Sequence, residues 1–206
     1  MTQVWFSDLD GLDAIRDYAS ADAEGLSSDE DIAAGFNWQG DPVPPVAIPK
    51  GIRQRTKRGG ALSELNLIRN RFLVIGPKLA TLLKGYDLGA GNVYPLDVYD
   101  ADGNMTSSGQ FYFWNFGNVA SHLMPEQSQE LKKSNFGYEK PGEHVYYPPI
   151  FPKDDTIALS RDCLVGPDVW RERFLHKGTF LSDRLAQGLK EAGLARKFKL
   201  VRCRVI

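Results

Sequence analysis

Two stretches of the chain repeat one design, and that repetition constrains the fold more than any other feature. Residues 75–84 read Ile-Gly-Pro-Lys-Leu-Ala-Thr-Leu-Leu-Lys, and residues 181–190 read Leu-Ser-Asp-Arg-Leu-Ala-Gln-Gly-Leu-Lys. Leu79, Ala80, Leu83 and Lys84 match Leu185, Ala186, Leu189 and Lys190. Each stretch predicts a buried strand, a helix start, an amphipathic helix and a glycine stop, followed by another strand. Gly76-Pro77 suits a helix start because proline at the first helical position loses no needed N–H. Ser182 suits an N-cap because its hydroxyl can accept an orphan N–H of the first turn. Any two amphipathic helices share such leucine spacing, but here the caps and flanking strands agree as well. Two copies do not make a solenoid, which needs about three repeats for stability. The expectation is an α+β protein, with a mixed sheet and two related strand–helix–strand units packed in a single domain.

The remaining elements follow from local pattern. Residues 4–6 (Val-Trp-Phe) predict a short strand. Leu12, Ile15 and Tyr18 at three-residue spacing predict a helical face, with Asp8 or Asp10 at its start. Pro42, Pro44, Pro45 and Pro49, with Gly51, Gly59 and Gly60, make 41–60 a loop. Residues 93–99 and 110–116 flank the turn Asp100-Ala101-Asp102-Gly103-Asn104 and predict a hairpin, with Pro95 at an edge or bulge. A short helix is expected over 118–124, ended by Pro125, and a loop over 134–153. Pro167 and Asp168 open a predicted helix on which Trp170 and Phe174 lie four residues apart. The last strand is expected at 198–205.

Composition excludes several classes. With 206 residues, 42% apolar and 25% charged, the chain can bury a core as one domain or two small lobes, and disorder is excluded as the default. A net charge of -1 argues against a general nucleic-acid binder. Cys163 and Cys203 are too few for a disulfide framework, and His122, His144 and His176 have no metal-ligand spacing, so no metal or cofactor is expected. No N-terminal basic stretch precedes an apolar run, and no stretch approaches the ~20 apolar residues of a membrane span. A soluble, cytoplasmic protein is expected.

Charge is segregated along the chain. Residues 8–31 carry nine acids against one base, Arg16. Residues 50–58 carry Lys50, Arg53, Arg55, Lys57 and Arg58. Each is read first as a solvated surface; the basic run could instead fold against the acidic one or touch nucleic acid. Residues 1–61, the acidic segment with the proline and basic loop, are read as part of the same fold as the core 62–206.

Several blocks together carry a family resemblance. They are Arg71-Phe72-Leu73-Val74-Ile75, Val93-Tyr94-Pro95-Leu96, Phe111 through Val119, Val169-Trp170-Arg171-Glu172-Arg173-Phe174, and Thr179 through Leu185 with Leu189 through Leu194 and the closing strand. Residues 62–206 in this respect resemble the bacterial immunity protein 11 family of polymorphic toxin systems. The resemblance implies a non-catalytic protein that neutralises a cognate protein toxin by stoichiometric binding; the residue pattern adds the expectation of no cofactor, no membrane and no direct nucleic-acid partner. Its motifs are core and cap residues and supply no catalytic positions. If the toxin acts on nucleic acid or a nucleotide, it presents a basic cleft, and the acidic residues Asp22, Glu24, Asp29, Glu30 and Asp31 are the candidate partner contacts.

One enzymatic reading competes. Trp5-Phe6-Ser7-Asp8-Leu9-Asp10-Gly11 is similar to the first motif of haloacid-dehalogenase-type phosphatases, in which the first aspartate attacks phosphorus and the second serves as acid and base. Leu12 stands where that motif usually has threonine. The mechanism also needs magnesium-binding acids, and only Asp154-Asp155 could be assigned to them. Asp100 through Asn104 lacks the closing glutamate of a calcium loop, since position 111 is Phe. Ser160 and Ser182 lie in no nucleophile elbow.

Overall fold

The computed structural model describes residues 2–12, 14–15, 17–20, 28–57, 60–68, 73–134 and 144–206. In chain order its elements are β1 (Val4–Ser7), β2 (Ala14–Ile15), β3 (Tyr18–Ser20), α1 (Ser28–Gln39), β4 (Gly51–Gln54), β5 (Leu65–Ile68), β6 (Leu73–Ile75) and α2 (Pro77–Leu83). Then come β7 (Asn92–Tyr99), β8 (Met105–Asn115), β9 (Val119–Ala120), β10 (Lys132–Lys133), β11 (Tyr146–Tyr147) and β12 (Ala158–Leu159). The chain closes with β13 (Val169–Glu172), β14 (Thr179–Ser182), α3 (Asp183–Glu191), β15 (Val201–Arg202) and β16 (Arg204–Val205). The protein is α+β with mixed sheets. It divides into two compact units, one of residues Asp10–Gly117 and one of Met1–Leu9 with Asn118–Ile206. The first 61 residues are thus shared between the units.

In the Asp10–Gly117 unit a seven-stranded sheet runs in the order β2-β5-β6-β8-β7-β4-β3. The β2–β5 and β4–β7 pairs are parallel and the others antiparallel. The expected β7–β8 hairpin is present, from Asn92 opposite Asn115 to Tyr99 opposite Met105. Pro95 is tolerated because the β4 ladder begins only at Asp97. The Asp97 N–H bonds Lys50 on that side, so by strand alternation the missing N–H of Pro95 falls where no partner strand has begun. Tyr18, Ala33, Val43, Ile52, Val74, Leu96 and Phe113 fill the core. A buried amide pair fastens α1 to the end of β8. Asn37 donates to the Trp114 carbonyl (3.0 Å) and accepts from the Phe116 N–H (2.7 Å), while Asn115 accepts from the Val43 N–H (3.1 Å).

In the other unit a five-stranded sheet runs β15-β1-β14-β13-β9, with β1 antiparallel to both β14 and β15. Phe6, Leu159, Cys163, Trp170, Leu175, Phe180 and Cys203 form its core. The rings of Trp170 and Phe180 stack with centroids 5.8 Å apart.

Both echoing segments form strand, cap and helix, but in different sheets and different units, not in one mixed sheet. Their caps are chemically distinct. Ser182 Oγ accepts the Leu185 N–H at 3.1 Å. At the matching place Gly76 has no side chain, and Glu64 reaches across to accept the Leu79 N–H at 2.9 Å.

Six expected elements differ. The 134–153 loop, of which 135–143 lie outside the described residues, contains the strand β11. The single strand expected at 198–205 is two short ones, β15 and β16, which pair with β1 and β12 respectively, while Phe198 ends a 3₁₀ turn. Residues 14–15 and 18–20 are strands, not a helix, because Tyr18–Ser20 pairs with Ile52–Gln54. That pairing also places a strand, β4, inside the expected 41–60 loop. Residues 119–120 extend beside β13 instead of forming a helix, and Pro125 opens a single 3₁₀ turn instead of ending one. Residues 169–172 are a strand because β14 follows at hairpin distance. Trp170 lies in β13 and Phe174 in the turn that follows it, so the two share no helical face.

A candidate binding groove

The site grows out of a short ribbon in the Asn118–Ile206 unit. Lys132 stands opposite Tyr147, and Lys133 opposite Tyr146. The far side of Tyr146 is also paired: its N–H donates to the Phe174 carbonyl (2.9 Å), and its carbonyl accepts the His176 N–H (2.8 Å). This brings His176 beside the ribbon, where its ring meets Tyr147 edge-on at 4.7 Å. The next residues are Pro148-Pro149-Ile150-Phe151-Pro152. Proline has no N–H to continue a ladder, so the chain leaves the ribbon as a ridge. Ile150 is 84% exposed and Phe151 86% exposed.

Between this ridge, the ribbon and the β13–β14 turn lies an open groove of about 890 Å³. Leu131, Pro148, Ile150 and Phe151 give it apolar walls, and Asp8, Glu130, Lys132 and Lys177 give it charges of both signs. Glu130 (φ 57°) and Lys177 (φ 62°) both adopt left-handed backbone conformations, which cost free energy for residues with a Cβ.

The residues singled out in the sequence are distributed otherwise. Asp22 and Glu24 lie outside the described residues. Asp29, Glu30 and Asp31 occupy the first turn of α1, in the Asp10–Gly117 unit. Asp8 follows the buried strand β1, as the phosphatase reading requires, and Asp10 lies in the 3₁₀ turn Leu9–Gly11. However, β1 runs antiparallel to both neighbours and has no parallel crossover to form a crevice at its carboxyl end. Asp154 accepts the Arg202 N–H (2.9 Å), and Asp155 holds the Arg202 guanidinium through two bonds (3.1 and 2.6 Å). Those bonds hold Asp155 below the usual carboxylate range. Both acids are thus engaged on β15, and the geometry gives the phosphatase reading no support.

The basic segment meets the acidic one through backbone. β3 pairs with β4, and the Arg55 N–H donates to the Asp17 carbonyl (2.6 Å). Lys57 pairs with Asp102 in the hairpin turn (2.8 Å). In that turn Asp100 takes two bonds from Asn104 (2.8 and 3.0 Å), which lower its pKa; the loop is closed on itself.

Two buried carboxylates lie outside the groove. Asp168 accepts from the Ser182 hydroxyl and the Arg184 guanidinium, and so braces the start of α3. Glu172 takes three N–H donors, from the Trp170 indole (3.0 Å), His122 (2.9 Å) and Leu123 (3.1 Å). Burial nevertheless raises Glu172 above its ordinary value, since desolvation outweighs the donors. Burial likewise pushes the Cys163 thiol up to about 11 and Cys203 well above its ordinary value, which makes both poor nucleophiles. Among the described residues no group of three or more His, Cys, Asp or Glu is placed to hold a metal. No described helix is long and apolar enough to cross a membrane.

No protein-family model matches the chain, and no curated protein matches it in sequence.

Proposed function

We propose that this protein is a cytoplasmic immunity protein, which neutralises a cognate toxin by stoichiometric binding and without catalysis. The observation that carries the reading is the Ile150–Phe151 ridge. Two large apolar side chains stand almost fully in water on the wall of an open groove, whose lining also carries Asp8, Glu130, Lys132 and Lys177. Adjacent exposed apolar side chains on the wall of a groove that also carries charged residues are the kind of surface another protein can cover. The ridge also falls within 62–206, the part read from the sequence as similar to the immunity protein 11 family. The acidic residues Asp22, Glu24, Asp29, Glu30 and Asp31 would act earlier, by steering a basic toxin into the encounter.

The test is co-expression with the toxin encoded by the neighbouring gene. Survival of the host and co-elution of a one-to-one complex are expected. Death of the host with no complex formed would overturn the reading. Magnesium-dependent phosphatase activity abolished by Asp8→Asn would replace it with the enzymatic one.

A further inference from the structure

We infer that the groove beside the Ile150–Phe151 ridge takes an extended segment of a partner protein, one that carries an apolar anchor side chain flanked by an acidic and a basic residue. This rests on the binding reading above and names the surface and the chemistry that fits it.

The charges select the occupant. Asp8 and Glu130 stand in the same groove as Lys132 and Lys177. A nucleotide, an inorganic phosphate or an anionic lipid surface would meet two carboxylates there, and a cationic ligand would meet two ammonium groups. A polypeptide can offer both signs at once, because its side chains include acids as well as bases and its backbone supplies neutral donors and acceptors. The apolar walls need an apolar group to cover them, which a peptide side chain provides.

The groove is also stiff. Pro148, Pro149 and Pro152 fix φ along the ridge. Glu130 and Lys177, one acid and one base, are both held at positive φ. Strained backbone of this kind persists where the surrounding structure over-determines it, and it clusters at ligand clamps. A wall already ordered loses less entropy on binding than a mobile one. The volume of about 890 Å³ lies at the upper end of the range for drug-sized ligands, which is enough for a short peptide.

The experiment pans a displayed library of random nine-residue peptides against the full chain, then measures enriched synthetic peptides by fluorescence polarisation. Enriched sequences should combine an aromatic or aliphatic residue with one acid and one base. Phe151→Asp should weaken their binding by roughly tenfold or more, and Lys177→Glu should invert the preferred charge beside the anchor. Phe151 is exposed, so its variant should melt like the wild type. Enrichment of nothing that depends on Phe151 would overturn the inference. So would Phe151-dependent binding of a mononucleotide, or of phosphatidylserine vesicles in place of peptide. Host survival identical for wild type and Phe151→Asp would remove the groove while leaving neutralisation standing. Phe151-dependent peptide binding without protection would remove neutralisation and leave the groove.

Discussion

The start of α3 offers a perturbation whose size can be worked out bond by bond. Ser182 is fully buried and its hydroxyl has two tasks. It accepts the Leu185 N–H at 3.1 Å and donates to Asp168, whose carboxylate is almost wholly buried. Ser182→Ala removes the cap, worth about 1 kcal/mol, and strips a hydrogen bond from a charged buried group, worth about 1.5–3 kcal/mol. Asp168 keeps its pairing with Arg184, which limits the damage. The expected loss is therefore roughly 2–4 kcal/mol, a large share of the ~5–15 kcal/mol typical of a folded domain. The matching place in α2 supplies the control. A Cβ at Gly76 would lie 2.8 Å from the Glu64 carboxylate that caps Leu79. Gly76→Ser therefore displaces one cap while adding another and should be close to neutral. Glu64→Ala should cost about 0.5–2 kcal/mol in the wild-type background and little in the Gly76→Ser background. Urea unfolding followed by tryptophan fluorescence measures all four variants. A Ser182→Ala loss under about 1 kcal/mol, or equal costs for Glu64→Ala in both backgrounds, would refute this account of the two caps.

Three further outcomes are expected. Leu189→Ala, at a fully buried position of α3, should cost about 2–5 kcal/mol by urea unfolding. Gly117→Ala should cost about 3 kcal/mol or more, or prevent folding, because Gly117 has φ 65° and an added Cβ would lie 2.4 Å from the Gly91 nitrogen; wild-type melting would show that the close approach is wrong. Glu172 makes stability depend on pH, with a sign set by its raised folded pKa. The folded state holds that proton longer than the unfolded chain does. The associated stability is fully present below the ordinary value of about 4.3 and is lost as pH rises through the folded value. The urea midpoint should accordingly fall from about pH 4 upward in the wild type, and Glu172→Gln should flatten that fall.

How much of this was legible in the sequence depends on where the determining contact lies. α2 and α3 could be read because cap, apolar stripe and glycine stop all fall within a dozen residues. α1 was missed, since its sequence joins an acidic run to Gly35 and Asn37, and the part of its anchoring the structure describes is tertiary: the amide of Asn37 against the end of β8. The strand β13 was misread for the opposite reason. Trp170 and Phe174 mimic a helical face, whereas the deciding signal was Lys177-Gly178 between two four-residue runs that bury every position. A turn between two such runs favours a hairpin, because each run then finds its pairing partner within twelve residues.

The groove was less legible still. Its walls come from residue 8, residues 130–132, residues 147–151 and residues 176–177, and no local pattern joins them. What the sequence did carry was Tyr146-Tyr147-Pro148-Pro149-Ile150-Phe151-Pro152. Read only as a loop, it hides a contradiction. Prolines on both sides prevent Ile150 and Phe151 from entering a ladder, and a ridge outside the sheets has no second layer to bury them. Large apolar residues that local chemistry keeps out of regular structure must either pack from a loop or remain in water. Here they remain in water, whereas Phe6, Phe113, Trp114 and Phe180 are buried almost completely. Burying Ile150 and Phe151 against another molecule would gain about 1.5–3 kcal/mol for each side chain before the costs of association. On the binding function proposed above, most of the affinity would then lie in the ridge, and the acidic segment would govern the rate of encounter.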